Sequence, residues 1–478
     1  MSFCCQEDES SGTRARLVPW LAREDNCHAC VFQMRSSAMA RILFATVPVI
    51  GHINPLLPLA RSLVARGHEV RWYSGRKHAT RIEATGARFT GYAVARDYDD
   101  LQLEKEFPGR SALKGLDQLR FDLARIFIDA APGQYTDIEA IAREWHPDVI
   151  VADPTMFGAG IAHERLDIPL ATLSVLPCVL RSRDTAPFGL GLPPAPTVSG
   201  RVRNALLNWL VEYVVFRGVQ RHWQRTRALV DLGPAGFLFD APRHVSRFLL
   251  PTVPGFEYPR SDMPDNVDFI GILPVDPPNG VERPVWFDEL DGSRPVVHVS
   301  QGTIANAKPD LFAPAIEGLA NEDVLVVLAT GGRQPQELGL TRVPSNVRVA
   351  SLLPYADLLP RTSVMVTNGG YGGVQIALSH GVPLVVAGTT EDKPEVAARV
   401  AWSGSGINLR TSMPTPDAVR SAVRKVIAEP SFGQHAKRLS REFAQYDAVA
   451  LGTTSIEALI GARKPRARAS MSSAAATP

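Results

Sequence analysis

Gly369, Gly370, Gly372 and Gly373 follow Thr367-Asn368 and open a short helical pattern, Val374 to Ser379. Glycines at the head of a helix leave backbone N–H groups uncovered, and the helix N-terminus carries partial positive charge. Such a turn suits a phosphate or a diphosphate. It equally suits tight packing of a helix on a strand, and the turn alone does not choose. A second small-residue turn, Ser300-Gln-Gly302-Thr303, offers hydroxyl and amide donors to the same kind of anion, or is a simple turn. His52 lies in a third turn, Gly51-His52-Ile-Asn-Pro55. An imidazole is a general base near neutral pH when another group orients its ring. Asp153, at the end of an apolar run, is the carboxylate that could do so and stabilise an imidazolium. Plain alternatives stand beside both: a capping or core histidine, and a carboxylate capping the helix after Pro154. Glu391-Asp392-Lys393-Pro394 carries an ordinary helix-start signal. Set at the end of a strand, facing a diphosphate, the same residues could bond sugar hydroxyls.

The elements around these residues alternate strand and helix. Arg41 to Thr46 is an apolar run of the fully buried kind, followed by the His52 turn, a helix from Leu56 to Arg66, and a strand from Glu69 to Tyr73. That is a βαβ unit, whose right-handed crossover implies a parallel sheet. Further strands are expected at Phe89 to Tyr92, Asp148 to Ala152 and Pro169 to Ser174, with a helix from Gly158 to Leu166. Residues 97–145 read as helical with breaks, 178–200 as Pro/Gly-rich loop, and 201–231 as a long amphipathic helix. Its stripe of Trp209, Tyr213, Val214, Val215 and Phe216 is read as packing on the sheet or shaping a pocket, in preference to touching a membrane or lipid. Residues 273–284 form the linker. Beyond it the strands are Pro295 to Ser300, Val324 to Ala329, Val347 to Ala350, Ser363 to Thr367 and Val382 to Ala387. Helices are expected at Lys308 to Leu319, Ala356 to Leu359, Pro394 to Ser403, Pro416 to Ile427, Phe432 to Phe443 and Thr454 to Ile460. In open α/β sheets ligands bind at the carboxyl ends of strands, and that is where His52, Asp153, Ser300, the glycine turn and Asp392 all fall. The fold class is therefore α/β, with two Rossmann-like domains carrying parallel sheets, 39–272 and 285–462, and a substrate cleft between them.

Composition excludes several classes of function. The chain has 478 residues, 45% hydrophobic and 21% charged, with a net charge of +2. That is ordinary globular composition and carries no basic footprint for nucleic acid. No apolar run approaches the ~20 residues of a membrane helix, and the N-terminus has no secretory pattern. Four of five cysteines (Cys4, Cys5, Cys27 and Cys30) precede residue 31, and only Cys178 lies in the body. A disulfide framework is not expected, and a reducing cytoplasm fits. Cys27-His28-Ala29-Cys30 has zinc-like spacing but no surrounding pattern, and Asp97-Tyr98-Asp99 sits in a charged loop of the wrong domain, so no metal is expected. Residues 1–38 read as an irregular extension, with Met39 as the expected functional start, and 463–478 as a disordered tail. There is no P-loop and no G-x-S-x-G, and no G-x-G-x-x-G follows the first strand.

With these residues in view, the chain resembles a family 1 glycosyltransferase of the two-Rossmann (GT-B) type, most closely the bacterial enzymes that glycosylate natural products. The resemblance spans residues 40–462 and is strongest over Thr367 to Ala401, the family's donor signature. It implies that His52 is the catalytic base and Asp153 its partner. It also implies that Ser300, Gly302, Thr303, Asn368, Gly369, Gly370, Gly372 and Gly373 bind the donor diphosphate. Glu391, Asp392 and Lys393 would hold the sugar; Leu352, Leu353, Tyr355 and Gln375 would hold the nucleoside. Four positions depart from the family pattern. Asn368 replaces a phosphate-binding histidine and Ile376 a ribose-binding glutamate. Leu352 stands where plant members carry tryptophan, and Lys393 replaces a glutamine.

The expected function is inverting transfer of a hexose from a UDP- or dTDP-sugar to a hydroxyl of a small lipophilic acceptor such as a polyketide or phenol. No cofactor is needed, the acceptor and the nucleotide sugar are the partners, membrane association is not expected, and a monomer or weak dimer is. A nucleotide-sugar epimerase or hydrolase, and a non-catalytic nucleotide-sugar-binding protein, are the alternatives.

Overall fold

The computed structural model describes residues 39–275, 281–302, 310–340 and 343–460. Two fully parallel sheets organise them. The first has seven strands: β1 (Arg41–Ala45), β2 (Glu69–Ser74), β3 (Arg88–Gly91), β4 (Val149–Ala152), β5 (Leu170–Leu173), β6 (Arg247–Leu250) and β7 (Val267–Phe269). Their order is β3-β2-β1-β4-β5-β6-β7. The second has six: β8 (Val296–Ser300), β9 (Leu325–Ala329), β10 (Val347–Ala350), β11 (Val364–Thr367), β12 (Leu384–Val386) and β13 (Gly406–Asn408), in the order β10-β9-β8-β11-β12-β13.

Both sheets reverse their winding beside their first strand. In the first sheet β1 lies between β2 and β4; in the second β8 lies between β9 and β11. Such a reversal opens a crevice at the carboxyl ends of the central strands. β1 leads to His52 and β4 to Asp153, while β8 ends on Ser300 and β11 leads to Asn368. The central strands are apolar along their length because both faces are covered: Ile42, Leu43, Phe44 and Ala45 are all fully buried.

β6, β7 and β13 are short strands that the sequence reading did not resolve. The turn expected over 47–55 is mostly helical, with Ile50–Ile53 followed by a 3-10 turn, Asn54–Leu56. The last helix runs Ala448–Glu457, six residues earlier at its start than expected, with Asp447 accepting from the Ala450 N–H as its cap. Its Ala448 and Ile456, with Leu459 beyond it, join the core of the first sheet beside Leu59 and Ile42. The last described helix thus packs back on the first sheet. Leu273, at the head of the expected linker, is buried in that same core; residues 276–280 lie outside the described set. Residues 1–38 and 461–478, with the extension, the four early cysteines and the tail, lie outside it too.

The 201–231 stripe differs from expectation. Phe216 is buried, but Trp209, Tyr213 and Val214 are more than half exposed, as are Val202 and Leu206. The helix Val198–Leu210 turns its polar side inward. Asn204 donates to the Arg183 carbonyl at 3.0 Å, and Arg201 bonds Asp184 at 2.9 Å. Just beyond, Glu212 pairs with Arg181. Hydrogen bonds to the 181–184 segment decide the orientation of this helix, and its apolar side faces out.

Candidate active site

His52 lies at the third position of the one-turn helix Ile50–Ile53. Its Nδ1 is 2.9 Å from Oδ1 of Asp153, which follows β4 directly and is buried. Asp153 is held by every donor around it. Oδ1 also accepts from the Thr155 N–H at 2.8 Å and the Thr155 hydroxyl at 2.5 Å, and Oδ2 accepts from the Val47 N–H at 2.9 Å. Burial pushes this carboxyl up, but the His52 ring, Thr155 and the Val47 amide outweigh it and hold the group below the usual carboxylate range. A carboxylate only accepts, so the Nδ1 proton of His52 points at Asp153 and Nε2 presents its lone pair. Nε2 has no hydrogen bond among the described residues, and the side chain keeps 16% of its surface exposed. The Thr155 hydroxyl, 3.2 Å from Nδ1, completes the clamp. Sequence reasoning missed Thr155; its signal was a hydroxyl two residues after a strand-ending Asp.

Two turns of the second sheet meet. Asn368 donates through Nδ2 to the Gln301 carbonyl at 2.5 Å, and Gly302 and Gly370 flank its Oδ1, which lies 4.0 Å from where a Cβ on either would sit. The four glycines divide between the two readings of the turn. Gly369 has φ +86°, and a Cβ there would come 2.7 Å from Val386, so it serves the turn and close packing on β12. Gly372 and Gly373 lie inside the helix Tyr371–Ser379, which starts three residues earlier than expected. A Cβ on either would meet nothing within 4 Å, so the space beside this helix's first turn is open. Thr303 lies outside the described residues.

Ser300 and Tyr355 belong to a buried polar chain. The Tyr355 hydroxyl is 3.0 Å from Nε2 of His298 and 3.4 Å from the Ser300 hydroxyl, which accepts from the Gly302 N–H at 3.3 Å. His298 is fully buried, donates from Nδ1 to the Val327 carbonyl, and is pushed down to about 4 by burial. It is neutral at ordinary pH, so Tyr355 gives its proton to Nε2 and acts as a strut beneath the Ser300 turn. The Leu353 side chain is buried with Phe287, Leu290 and Leu358, whereas Leu352 is half-buried. Gln375 is buried with its amide oxygen unpaired among the described residues.

Asp392 and Lys393 follow β12 at the start of the helix Lys393–Trp402. Burial raises the Asp392 carboxyl to about 6, with Glu391 adding to the rise and Lys393 opposing it. Lys393 runs its stem under the glycine turn, its Cβ 3.8 Å from a Cβ built on Gly369, and bonds Glu391 and the Thr390 hydroxyl. Asp97 accepts from the Arg76 N–H and Asp99 pairs with Lys77, so both carboxylates of the D-x-D spacing hold loops together.

Two doubly wound sheets, a His–Asp pair at the head of one and paired glycine turns at the head of the other define a two-domain α/β transferase of the GT-B class. Residues 139–446 match the family model described as UDP-glucoronosyl and UDP-glucosyl transferase. The chain belongs to this family, and it is a glycosyltransferase of the natural-product type that takes sugar from a nucleotide sugar. It is 47% identical over 423 residues to 4'-demethylrebeccamycin synthase of Lentzea aerocolonigenes, covering 88% of this chain and all of that one. It is 34% identical to UDP-glycosyltransferase 2 of Phaeomoniella chlamydospora, covering 89% and 97%. Among solved structures it resembles the glycotransferase of kitacinnamycin, with a TM-score of 0.69 and 25% identity over 88% of this chain and all of that one. Among the described residues no helix is long and apolar enough to cross a membrane.

Proposed function

We propose that the protein transfers a hexose from a UDP- or dTDP-sugar to a hydroxyl of a small lipophilic natural product, with inversion. The observation that carries this reading is the His52–Asp153 pair: one ring nitrogen fixed by a buried carboxylate, the other with no hydrogen bond among the described residues. His52 Nε2 takes the proton of the acceptor hydroxyl as its oxygen attacks the anomeric carbon. The bond from that carbon to the diphosphate oxygen breaks, and the nucleoside diphosphate leaves. Asp153 stabilises the imidazolium that forms. A single displacement on an α-linked donor yields a β-glycoside.

The open first turn at Gly372 and Gly373, with the N–H groups of the Asn368–Gly370 turn, supports binding of the leaving diphosphate. Asn368 offers one remaining N–H and no charge there. Asp392, as a carboxylate, would accept from sugar hydroxyls. The relative that makes 4'-demethylrebeccamycin supports an acceptor of natural-product type. The reaction needs no cofactor and runs in the cytoplasm, in a monomer or weak dimer. His52→Ala tests the assignment. Transfer should disappear while UDP or dTDP still binds; a variant that keeps full activity overturns the role of His52.

A further inference from the structure

Far from both turns in sequence, the segment Gly189-Leu190-Gly191 is bound to the helix that begins at Lys393. Oε1 of Glu395 accepts from the Gly189 N–H and from the Gly191 N–H, each at 2.8 Å. Oε2 of the same carboxylate accepts from Arg399 at 2.7 Å. Arg399 turns its other edge to Glu257, with Nη2 at 2.6 Å and Nε at 3.0 Å from Oε1. Glu257 also accepts from Arg260 at 3.1 Å and from the Cys178 N–H at 2.9 Å. The Tyr258 ring lies 4.1 Å from the Arg399 guanidinium. Glu257, Glu395 and Arg399 are all buried. Residues 178–191 and 257–260 come from the part of the chain that builds the first sheet; Glu395 and Arg399 come from the part that builds the second.

The contact is shaped for glycine. Gly189 has φ +101° and Gly191 φ +59°, so two N–H groups two residues apart converge on one oxygen, as in a backbone anion nest. A Cβ on Gly191 would come 2.9 Å from the Pro394 carbonyl oxygen. The turn therefore rests directly on Pro394, two residues beyond Asp392. Charge alone does not require this arrangement, because Glu257 already faces Arg399. What Glu395 adds is the grip on the 189–191 turn.

We infer that Glu395 is a positioning residue that holds the 189–191 turn against the donor-sugar end of the site, making that end a composite of both halves of the chain. The inference rests on the glycosyltransferase reading above. A loop fixed there keeps water from the anomeric carbon until an acceptor arrives, so its release lets water compete with the acceptor.

Two variants test it. Glu395→Asp keeps the buried charge opposite Arg399, so the fold is retained, but is one methylene too short to hold Arg399 and both amides. Gly191→Ala leaves the ion pairs intact and drives a methyl toward Pro394. Without substrate, amide exchange over residues 186–196 should quicken about tenfold or more in Glu395→Asp, while the rest of the Lys393–Trp402 helix keeps its protection. With a sugar nucleotide, both variants should release more free sugar per glycoside made, by about tenfold, with the Kd for UDP or dTDP within about twofold of the parent. Parental exchange rates and a parental ratio of free sugar to glycoside in both variants overturn the inference. If the parent itself transfers no sugar, the functional reading fails, and the exchange experiment alone decides whether Glu395 holds the turn.

Discussion

Asp153→Asn changes one atom and should stop catalysis without removing the site. In the parent, four donors converge on the carboxylate: the His52 ring, the Thr155 N–H and hydroxyl, and the Val47 N–H. An asparagine has one acceptor oxygen and one NH2 group. With its oxygen toward His52 and Thr155, the NH2 confronts the Val47 N–H, donor against donor. With the group flipped, the NH2 faces His52 and Nδ1 must accept, which puts the proton on Nε2, where the base needs a lone pair. Either way a charge-assisted hydrogen bond worth about 1.5–3 kcal/mol is lost. The flipped form also removes the reactive tautomer, for which about 10⁴-fold in kcat is the precedent in a His–Asp pair. The expected loss is thus about 10³- to 10⁴-fold in kcat, with nucleotide Kd unchanged. Product formation by mass, alongside calorimetric titration with UDP or dTDP, measures both. Stability supplies an independent arm. The folded Asp153 carboxyl is held below its ordinary value, so its contribution is present above the unfolded pKa of about 4 and is lost as pH falls through the folded one. The parent should therefore unfold at higher denaturant than Asp153→Asn at pH 7, and the gap should close in acid. A variant within tenfold of parental kcat, or a gap that widens in acid, refutes the reasoning.

The glycines give opposite predictions within one turn. Gly373→Ala should stabilise the helix by up to about 1 kcal/mol and still raise the donor KM about tenfold, because its methyl enters the open space, and thermal melting with donor kinetics reads both. Gly369→Ala, strained at φ +86° and colliding with Val386, should instead destabilise by about 1–3 kcal/mol. Asp392 titrates near 6, so its carboxylate is lost as pH falls below that, and the donor KM of the parent should rise between pH 7 and 5 while that of Asp392→Asn stays flat and high. The fold prefers this carboxyl protonated, so Asp392→Asn should melt at a higher temperature than the parent at pH 8, lose about half of that advantage by pH 5 and the rest only below the unfolded pKa of about 4. His298 stays neutral down to about pH 4 in the fold, whereas the unfolded chain takes up its proton near 6.5; stability should fall by up to about 3 kcal/mol over that interval, and less in His298→Asn.

Much of the fold was legible because buried parallel strands are continuous apolar runs. Ile42 to Ala45 and Val296 to Val299 announce themselves by composition alone. β6, β7 and β13 did not, since three- and four-residue strands such as Gly406–Asn408 carry too few apolar positions to show a period. The His52–Asp153 pair was readable as two residues on one sheet edge, but Thr155 was not, because its role depends on a turn geometry that places N–H and hydroxyl on one oxygen. Leu353 and Tyr355 show the limit of position-by-position resemblance. One packs into the core and the other braces His298, and both outcomes follow from where β10 lets the chain turn. The stripe around Trp209 misled for a similar reason. Amphipathic period fixes that two faces differ, while tertiary hydrogen bonds at Asn204 and Arg201 fix which face turns inward.

The most direct test is the anomeric configuration of the product. The protein is incubated with an α-linked UDP- or dTDP-hexose and a panel of lipophilic phenols and macrolides, and any conjugate is examined by mass and by the proton coupling at its anomeric carbon. A β-glycoside made by the parent and absent with His52→Ala is the expected result. An α-glycoside, or free or epimerised sugar with no conjugate from any acceptor, would contradict it.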